Sequence, residues 1–192
     1  MPCPYHRDAS AMEGVELFGP RRFIRLPAFR YGQPGSYFLT ICAYEKNCIF
    51  GRVSDSTVEL TALGQIVSEC WIAIPQHFPH AETTAHVVMP NHLHGIVIFR
   101  TTGHEDADRS EAFQKPVAGS LPTVVRSYKA AVRLEAKRAG VAIQRVWQRG
   151  YFERVIRNEK EFWAAVQYIT ENPARWELDR ENPMRSFSAP RL

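Results

Sequence analysis

The sequence predicts an α+β fold in which one antiparallel sheet carries helices mainly on one of its faces. Short segments rich in aromatic and β-branched residues alternate with longer segments in which apolar residues recur every three or four positions. The predicted elements follow one another as strand, hairpin, helix, strand pair, helix, strand and helix. This order is typical of a sheet layer packed against a helix layer.

The strands are predicted from aromatic and β-branched runs that end at turn residues. Residues 86–89 and 92–99 are joined by a Pro90-Asn91 turn and are expected to pair as a hairpin. In chain order, strands are predicted over residues 36–43, 49–60 (a hairpin that turns near residues 54–56), 86–89, 92–99 and within 142–156 around the turn 147–150.

Two of the three predicted helices are identified by their apolar faces and their ends. Thr61 can cap a helix over residues 62–78, because its hydroxyl can accept a hydrogen bond from the first turn. The second helix covers about residues 120–139. Gly140 is a plausible end for it, since glycine readily adopts the left-handed conformation found after many helices.

The last helix has the clearest boundaries. Asn158 lies three residues before Glu161, a spacing that resembles a capping box. The helix is expected to close at Asn172, because Pro173 disfavours a helical conformation at the residue before it. Tyr168 and Asn172 are four residues apart and therefore share one face of this helix.

Composition indicates one globular domain with a polyanionic partner. The chain has 192 residues and a net charge of +4, without an apolar run long enough to cross a bilayer. Its first residues do not resemble a secretory signal, so we expect a cytoplasmic, nucleoid-associated protein that binds no membrane. Its four scattered cysteines do not suit a structural zinc site. We predict a basic arm over 1–33, a catalytic domain over 34–178 and a tail over 179–192.

The candidate site begins with His92-Leu93-His94. Alternate residues of a strand face the same side, so both imidazoles can hold one divalent metal ion. With seven histidines in the chain, such a pair also arises by chance, and two structural strand histidines are the alternative. On the last helix, Tyr168 offers a phenol nucleophile and Asn172 an oxygen for the metal. The alternative for Tyr168 is an aromatic residue that only packs against its neighbours.

Four segments resemble the IS200-like transposases, in particular their REP-associated tyrosine transposase branch. The resemblance covers about residues 34–178, with the segments in family order. The matching segments are Pro34-Gly35-Ser36-Tyr37-Phe38-Leu39-Thr40-Ile41-Cys42, Val87-Val88-Met89-Pro90-Asn91-His92-Leu93-His94-Gly95-Ile96-Val97, Val146-Trp147-Gln148-Arg149-Gly150-Tyr151-Phe152-Glu153-Arg154-Val155-Ile156-Arg157-Asn158-Glu159 and Gln167-Tyr168-Ile169-Thr170-Glu171-Asn172-Pro173.

This resemblance implies a ferredoxin-like core and an enzyme that cuts and rejoins single-stranded DNA next to REP-like hairpins. By position, His92, His94 and Asn172 match the metal shell, and Tyr168 matches the nucleophile that forms a 5′-phosphotyrosine intermediate. The implied cofactor is a divalent ion, Mg or Mn. Tyr151 is a competing nucleophile that we rank below Tyr168. The resemblance leaves open whether the protein works as a monomer or as a homodimer.

Basic and aromatic residues on the predicted helix 120–139 and on the third matched segment are candidates for DNA contacts. A stripe on the predicted helix 120–139 can contact phosphates, or can simply be its solvated face. Trp147 can stack on unpaired bases among nearby arginines, or can belong to the core. The candidate DNA-binding residues are Arg126, Lys129, Arg133, Lys137, Trp147, Arg149, Arg154 and Arg157. Arg21, Arg22 and Arg25 of the arm could add a further clamp.

Three other functions are compatible with parts of this pattern. A relaxase or replication initiator shares the histidine pair, but no helicase-like region fits this length. A non-catalytic or domesticated DNA-binding protein on the same fold would lack the chemistry, although no RNP-type pattern of exposed aromatics supports a general nucleic-acid binder. A metallohydrolase would need a carboxylate or another histidine near His94, and the neighbouring sequence offers neither.

Overall fold

Six strands and four helices make up the computed structural model, which describes residues 34–100 and 119–183. In chain order they are β1 (Gly35–Cys42), β2 (Gly51–Ser54), β3 (Thr57–Leu60), α1 (Ala62–Ile72), α2 (Ile74–His77), β4 (Ala81–Met89), β5 (His92–Phe99), α3 (Leu121–Arg138), β6 (Phe152–Ile156) and α4 (Glu159–Glu171). A 3-10 helix, Pro173–Leu178, follows α4. Residues 1–33, which form the predicted basic arm, and residues 101–118 and 184–192 lie outside the described residues.

The central sheet is fully antiparallel, with its strands in the order β4-β5-β1-β6. If the separate β2-β3 hairpin is set aside, the chain runs strand, helix, strand, strand, helix, strand. This is the ferredoxin-like arrangement that the resemblance implies. The hairpin turns at Asp55 and Ser56, which both have positive φ, as predicted.

The apolar core lies between the sheet and two helices, α1 and α3. Strand alternation directs Tyr37, Leu39 and Ile41 of β1 to this side, and α3 buries Val125 and Val132 against it. The next residues along β1 face the opposite side, which α4 covers. Helices α1 and α3 therefore lie on one face of the sheet, and α4 lies on the other.

Most predicted boundaries agree with the structure, and two differ. The predicted helix 62–78 breaks at Ala73 into α1 and α2, because Pro75 has no N–H to continue the helical hydrogen bonds and its ring crowds the preceding turn. Strand β4 begins at Ala81 rather than at residue 86, since it pairs with β5 as far as Phe99 across an irregularity after Thr83. Its polar start gave little sequence signal for a strand.

Both predicted N-terminal helix caps form as hydrogen bonds. The Thr61 side chain accepts from the Gly64 N–H at 3.1 Å, and the Asn158 side chain accepts from the Glu161 N–H at 2.9 Å. Gly140 follows α3 with a φ of +71°. Within residues 34–100 and 119–183, no helix is both long and apolar enough to span a bilayer.

Candidate active site

The two histidines lie side by side on β5, on the face of the sheet that α4 covers. His92 pairs in register with Cys42, and His94 pairs with Thr40. Both imidazoles are fully buried, and their ring centroids are 4.3 Å apart. The same-face placement predicted from the two-residue period is therefore what the structure shows.

Asn91 sets the tautomer of His92. The Asn91 amide nitrogen donates to two carbonyl oxygens, those of Lys46 at 3.0 Å and Glu181 at 2.6 Å. Its Oδ1 must therefore be the atom 2.8 Å from His92 Nδ1, and an amide oxygen can only accept. His92 Nδ1 accordingly carries the ring proton, which leaves Nε2 as the nitrogen that can bind a metal ion.

His94 is held by its neighbours on β1 and α4. Its Nδ1 lies 2.9 Å from the hydroxyl of Thr40, which directs Nε2 away from the sheet. The ring of Phe38 lies on one side, at a centroid distance of 5.2 Å. Hydrogen bonds of this kind to the second ring nitrogen fix the orientation of metal-binding histidines.

Helix α4 brings Tyr168 to the histidines. Ala165 and Ile169 are buried against Phe38 and Ile96 of the sheet, which fixes the rotation of the helix about its axis. The half-buried Tyr168 then projects so that its ring centroid lies 5.2 Å from that of His94. The sequence placed the phenol on a helix, and the packing of α4 places it beside the histidine pair.

Asn172 ends α4 at the same site. Its side chain is 2% exposed, and its amide nitrogen donates to Asp179 Oδ2 at 3.0 Å. Its Oδ1 makes no hydrogen bond among the described residues, although the atom is buried. A buried amide oxygen in this state is unfavourable unless a ligand or water satisfies it.

Asp179 is a site residue that the sequence analysis missed. It follows the 3-10 helix, is buried, and lies with His92 and His94 so that one ligand atom of each is within 4.8 Å of the others. Two imidazoles and a carboxylate suit a divalent ion, so the donor set fits the implied metal. The local sequence gave no signal for Asp179, because it reaches the histidines only through the turn after Asn172.

Residues 179–183 are anchored against the sheet rather than extending as a tail. The buried Glu181 carboxylate lies 3.0 Å from Lys46 Nζ and 3.7 Å from Cys42 Sγ. The backbone carbonyl oxygen of Glu181 accepts a hydrogen bond from the Asn91 amide nitrogen. The Glu181 N–H in turn donates to Asp179 Oδ1 at 2.6 Å. The first residues of the predicted tail, 179–183, therefore lie against the candidate site.

The other tyrosines of the region are poorly placed for nucleophilic attack at this site. Tyr151 packs against the core between the sheet, α1 and α3, on the face opposite the histidines. Burial, and to a smaller extent Glu153, raises the pKa of Tyr37 to about 12, and burial raises the pKa of Tyr128 well above its usual value. The Tyr168 ring, by contrast, lies against that of His94.

The predicted basic stripe divides into exposed residues and one half-buried lysine. Arg126, Arg133 and Lys137 are exposed on α3, which covers the face of the sheet opposite the histidines. Lys129 instead donates to the carbonyl oxygens of Gln148, at 2.9 Å, and Gly150. Burial lowers the pKa of Lys129 to about 8. Lys129 thus fastens the turn before β6.

Trp147 is half-buried and packs against the apolar core, while its stacking on bases stays a prediction. Its ring lies 5.1 Å from Phe50 and 5.7 Å from Tyr128, and its indole N–H donates to the Lys129 carbonyl. The nearby arginines differ in exposure. Arg149 and Arg157 are exposed, whereas Arg154 is half-buried, 3.8 Å from the Glu161 carboxylate.

The fold is similar to that of a solved REP-associated tyrosine transposase bound to a REP hairpin. The two share 21% sequence identity over 77% of this chain and 72% of that chain, with a TM-score of 0.53. The fold is therefore that of the IS200-like tyrosine transposases, as the four sequence segments predict.

A curated relative defines the family more closely. An uncharacterized protein of Haemophilus influenzae is 40% identical over 166 residues, which span 83% of this chain and 92% of the relative. The chain belongs to the same family as this protein. No family model matches the chain.

Proposed function

We propose that the protein is a metal-dependent transposase that nicks and transfers single-stranded DNA through a covalent 5′-phosphotyrosine intermediate on Tyr168. The observation that carries this proposal is the contact of the Tyr168 ring with His94, one of three buried side chains able to hold a metal ion. A phenol nucleophile beside a metal site is the arrangement that such a phosphoryl transfer needs.

In the proposed reaction, the Tyr168 oxygen forms a bond to the scissile phosphorus while the bond from phosphorus to the 3′ oxygen breaks. The phenol loses its proton and the departing 3′ oxygen gains one, so charge and protons balance. One phosphodiester is exchanged for another, and a free 3′-hydroxyl can reverse the step on a new strand end. The reaction therefore rejoins DNA without an external energy source.

His92 and His94 would hold the ion, and Asn172 would add its buried Oδ1 as an oxygen donor. Asn91 and Thr40 keep the two imidazoles in the orientation that metal binding requires. When bound, Mg or Mn polarises a phosphate oxygen and orients the scissile bond for in-line attack. The resulting role of the protein side chains is to fix that phosphate within reach of the Tyr168 oxygen.

The proposed DNA partner contains a hairpin. This proposal is supported by the REP hairpin bound to the structurally similar transposase and by the net charge of +4. Arg126, Arg133 and Lys137 on α3 could contact phosphates of a stem that passes around the edge of the sheet. Contacts of this type are independent of base sequence and weaken steeply with salt.

The decisive experiment looks for the covalent adduct. The protein is incubated with a single-stranded hairpin oligonucleotide and Mn or Mg, and the products are separated under denaturing conditions. The wild type is expected to form a protein–DNA adduct, and Tyr168→Phe is expected to bind the DNA without forming one. Tyr151→Phe is the matched control, because it removes a phenol from the opposite face and should leave the adduct intact. An adduct that persists in Tyr168→Phe would overturn the assignment.

We also propose that one chain forms a complete site. Tyr168 contacts the histidines of its own chain, which supports catalysis by a monomer. Mixing His94→Ala with Tyr168→Phe protein tests this proposal directly. If the tyrosine acts within its own chain, the mixture forms no adduct, whereas exchange of helices between two chains would restore adduct formation.

A further inference from the structure

Asp179 is a buried carboxylate, and the two groups of the described residues that donate hydrogen bonds to it are both uncharged. Asn172 Nδ2 donates to one oxygen and the Glu181 N–H to the other. The side chain is 6% exposed. Burying a carboxylate costs free energy unless a positive charge compensates it, and neutral donors compensate it only in part.

The nearby lysine is engaged elsewhere. Lys46 forms its ion pair with Glu181, at 3.0 Å, two residues further along the same segment. The groups that Asp179 faces are instead the imidazoles of His92 and His94, with one ligand atom of each within 4.8 Å of a carboxylate oxygen. A cation at the centre of these three atoms would compensate the carboxylate.

The hydrogen bond from Asn172 shows which atoms are presented to that centre. A carboxylate oxygen accepts, so the Asn172 amide must turn its nitrogen towards Asp179. The distance of 3.0 Å is a normal hydrogen bond and keeps the carboxylate next to the last turn of α4. Asn172 is in this respect a positioning residue for Asp179.

We propose that Asp179 is a ligand of the same divalent ion as His92 and His94, so that residues after the 3-10 helix complete the metal centre. This inference rests on the proposed function, which supplies the ion. The sequence alone suggested two imidazoles and an amide, a neutral set. Asp179 adds a carboxylate to this set, which makes the set anionic and well suited to Mn²⁺.

A second consequence concerns the segment that carries Asp179. The carboxylate reaches the histidines only while residues 179–183 are anchored through Glu181 to Asn91 and Lys46. Metal binding and anchoring of this segment are therefore thermodynamically linked, and each stabilises the other. Bound Mn²⁺ should protect the segment from proteolysis.

The test measures Mn²⁺ binding to the full-length protein without DNA, from the electron paramagnetic resonance signal of free Mn²⁺. Asp179→Asn keeps the shape and the hydrogen bond from the Glu181 N–H, but it removes the charge. We expect its affinity for Mn²⁺ to fall at least about 10-fold. Glu177→Gln is the matched control, since it removes an exposed carboxylate from the preceding 3-10 helix and should bind Mn²⁺ as the wild type does.

Two further variants separate Asp179 from its neighbours. Asp179→Glu retains a carboxylate and should bind more tightly than Asp179→Asn, which holds even if both variants are somewhat destabilised. Asn172→Ala removes the positioning hydrogen bond and should weaken binding less than Asp179→Asn does. A larger loss in Asn172→Ala would identify the amide as the stronger ligand and overturn the inference.

Failure of this inference is distinguishable from failure of the proposed function. If Asp179→Asn binds Mn²⁺ normally while His94→Ala does not, Asp179 is not a ligand and the histidine site stands. If the wild type binds no Mn²⁺, the inference is overturned. The adduct experiment with Tyr168→Phe tests strand transfer independently of either result.

Discussion

On one face of the sheet, Leu39, Leu93 and Val97 pack beneath α1 and α3 in a continuous apolar core. On the other face, α4 covers only a small apolar cluster around Phe38 and Ile96 before the buried surface becomes polar. There the sheet presents His92 and His94 to the end of α4 and to the segment after it.

The difference separates the face of the sheet that stabilises the fold from the face that carries the candidate site. Burial of apolar side chains stabilises the fold in proportion to the area removed from water. Burial of imidazole, amide and carboxylate groups contributes little or costs free energy, since each loses hydration. The apolar core on the α1/α3 face therefore compensates for a second face on which imidazole, amide and carboxylate groups are buried.

The largest expected effect is a loss of adduct formation with little change in the free energy of unfolding. His94→Ala should reduce adduct formation by ~10³-fold or more, because it removes a metal ligand next to the nucleophile. Its free energy of unfolding without metal should change by less than about 2 kcal/mol, since a buried polar group is lost together with its desolvation cost. Urea denaturation and the adduct assay measure the two effects. A comparable loss in both would contradict the division between the faces.

The converse prediction concerns Trp71, which is buried in α1 on the apolar face. Trp71→Ala should lower the free energy of unfolding by about 3–5 kcal/mol, through lost burial and the cavity left behind. Measured on the folded fraction, adduct formation should remain near that of the wild type. Ile72→Ala, at the exposed neighbouring position, is the control and should be nearly neutral. A Trp71 variant of normal stability would contradict the role of this core.

A smaller effect on stability is expected at Gly95 of β5, which packs against Trp71 of the apolar core. A Cβ at this position would lie 2.4 Å from the Trp71 ring, closer than real side chains allow. Gly95→Ala should therefore cost about 1–3 kcal/mol in thermal or urea unfolding. Gly35→Ala is the matched control on β1, since its Cβ would find ordinary contacts at 3.7 Å. Equal stability of the two variants would show that Trp71 can move away.

The smallest effect tests how firmly α4 presents Tyr168. Asn158→Ala removes the side-chain hydrogen bond to the Glu161 N–H and should cost about 1 kcal/mol. Because this cap lies ten residues before Tyr168, adduct formation should fall only slightly. The urea midpoint measures the first effect and single-turnover adduct kinetics the second. A large kinetic loss at unchanged stability would mean that the start of α4 contacts the DNA.

The sequence by itself predicted the features of the candidate site that depend on local periodicity. Residues two positions apart on a strand face the same side, so His92 and His94 were predicted to share a face. Residues four positions apart on a helix also share a face, which gave the same prediction for Tyr168 and Asn172. Asn158 predicted the start of α4, and Pro173 predicted its end. The four matched segments supplied the fold, which the similarity to a solved transposase confirms.

Tertiary structure decided what depends on residues far apart in the chain. Periodicity does not tell which face α4 covers, nor that Lys129 of the predicted stripe donates to the turn before β6 while Trp147 packs against the apolar core. Asp179 is 85 residues from His94 in the sequence, and only the turn after Asn172 and the Glu181 contacts bring the two together. The sequence therefore determined which side chains share a strand or a helix. Long-range packing determined which of them share a site.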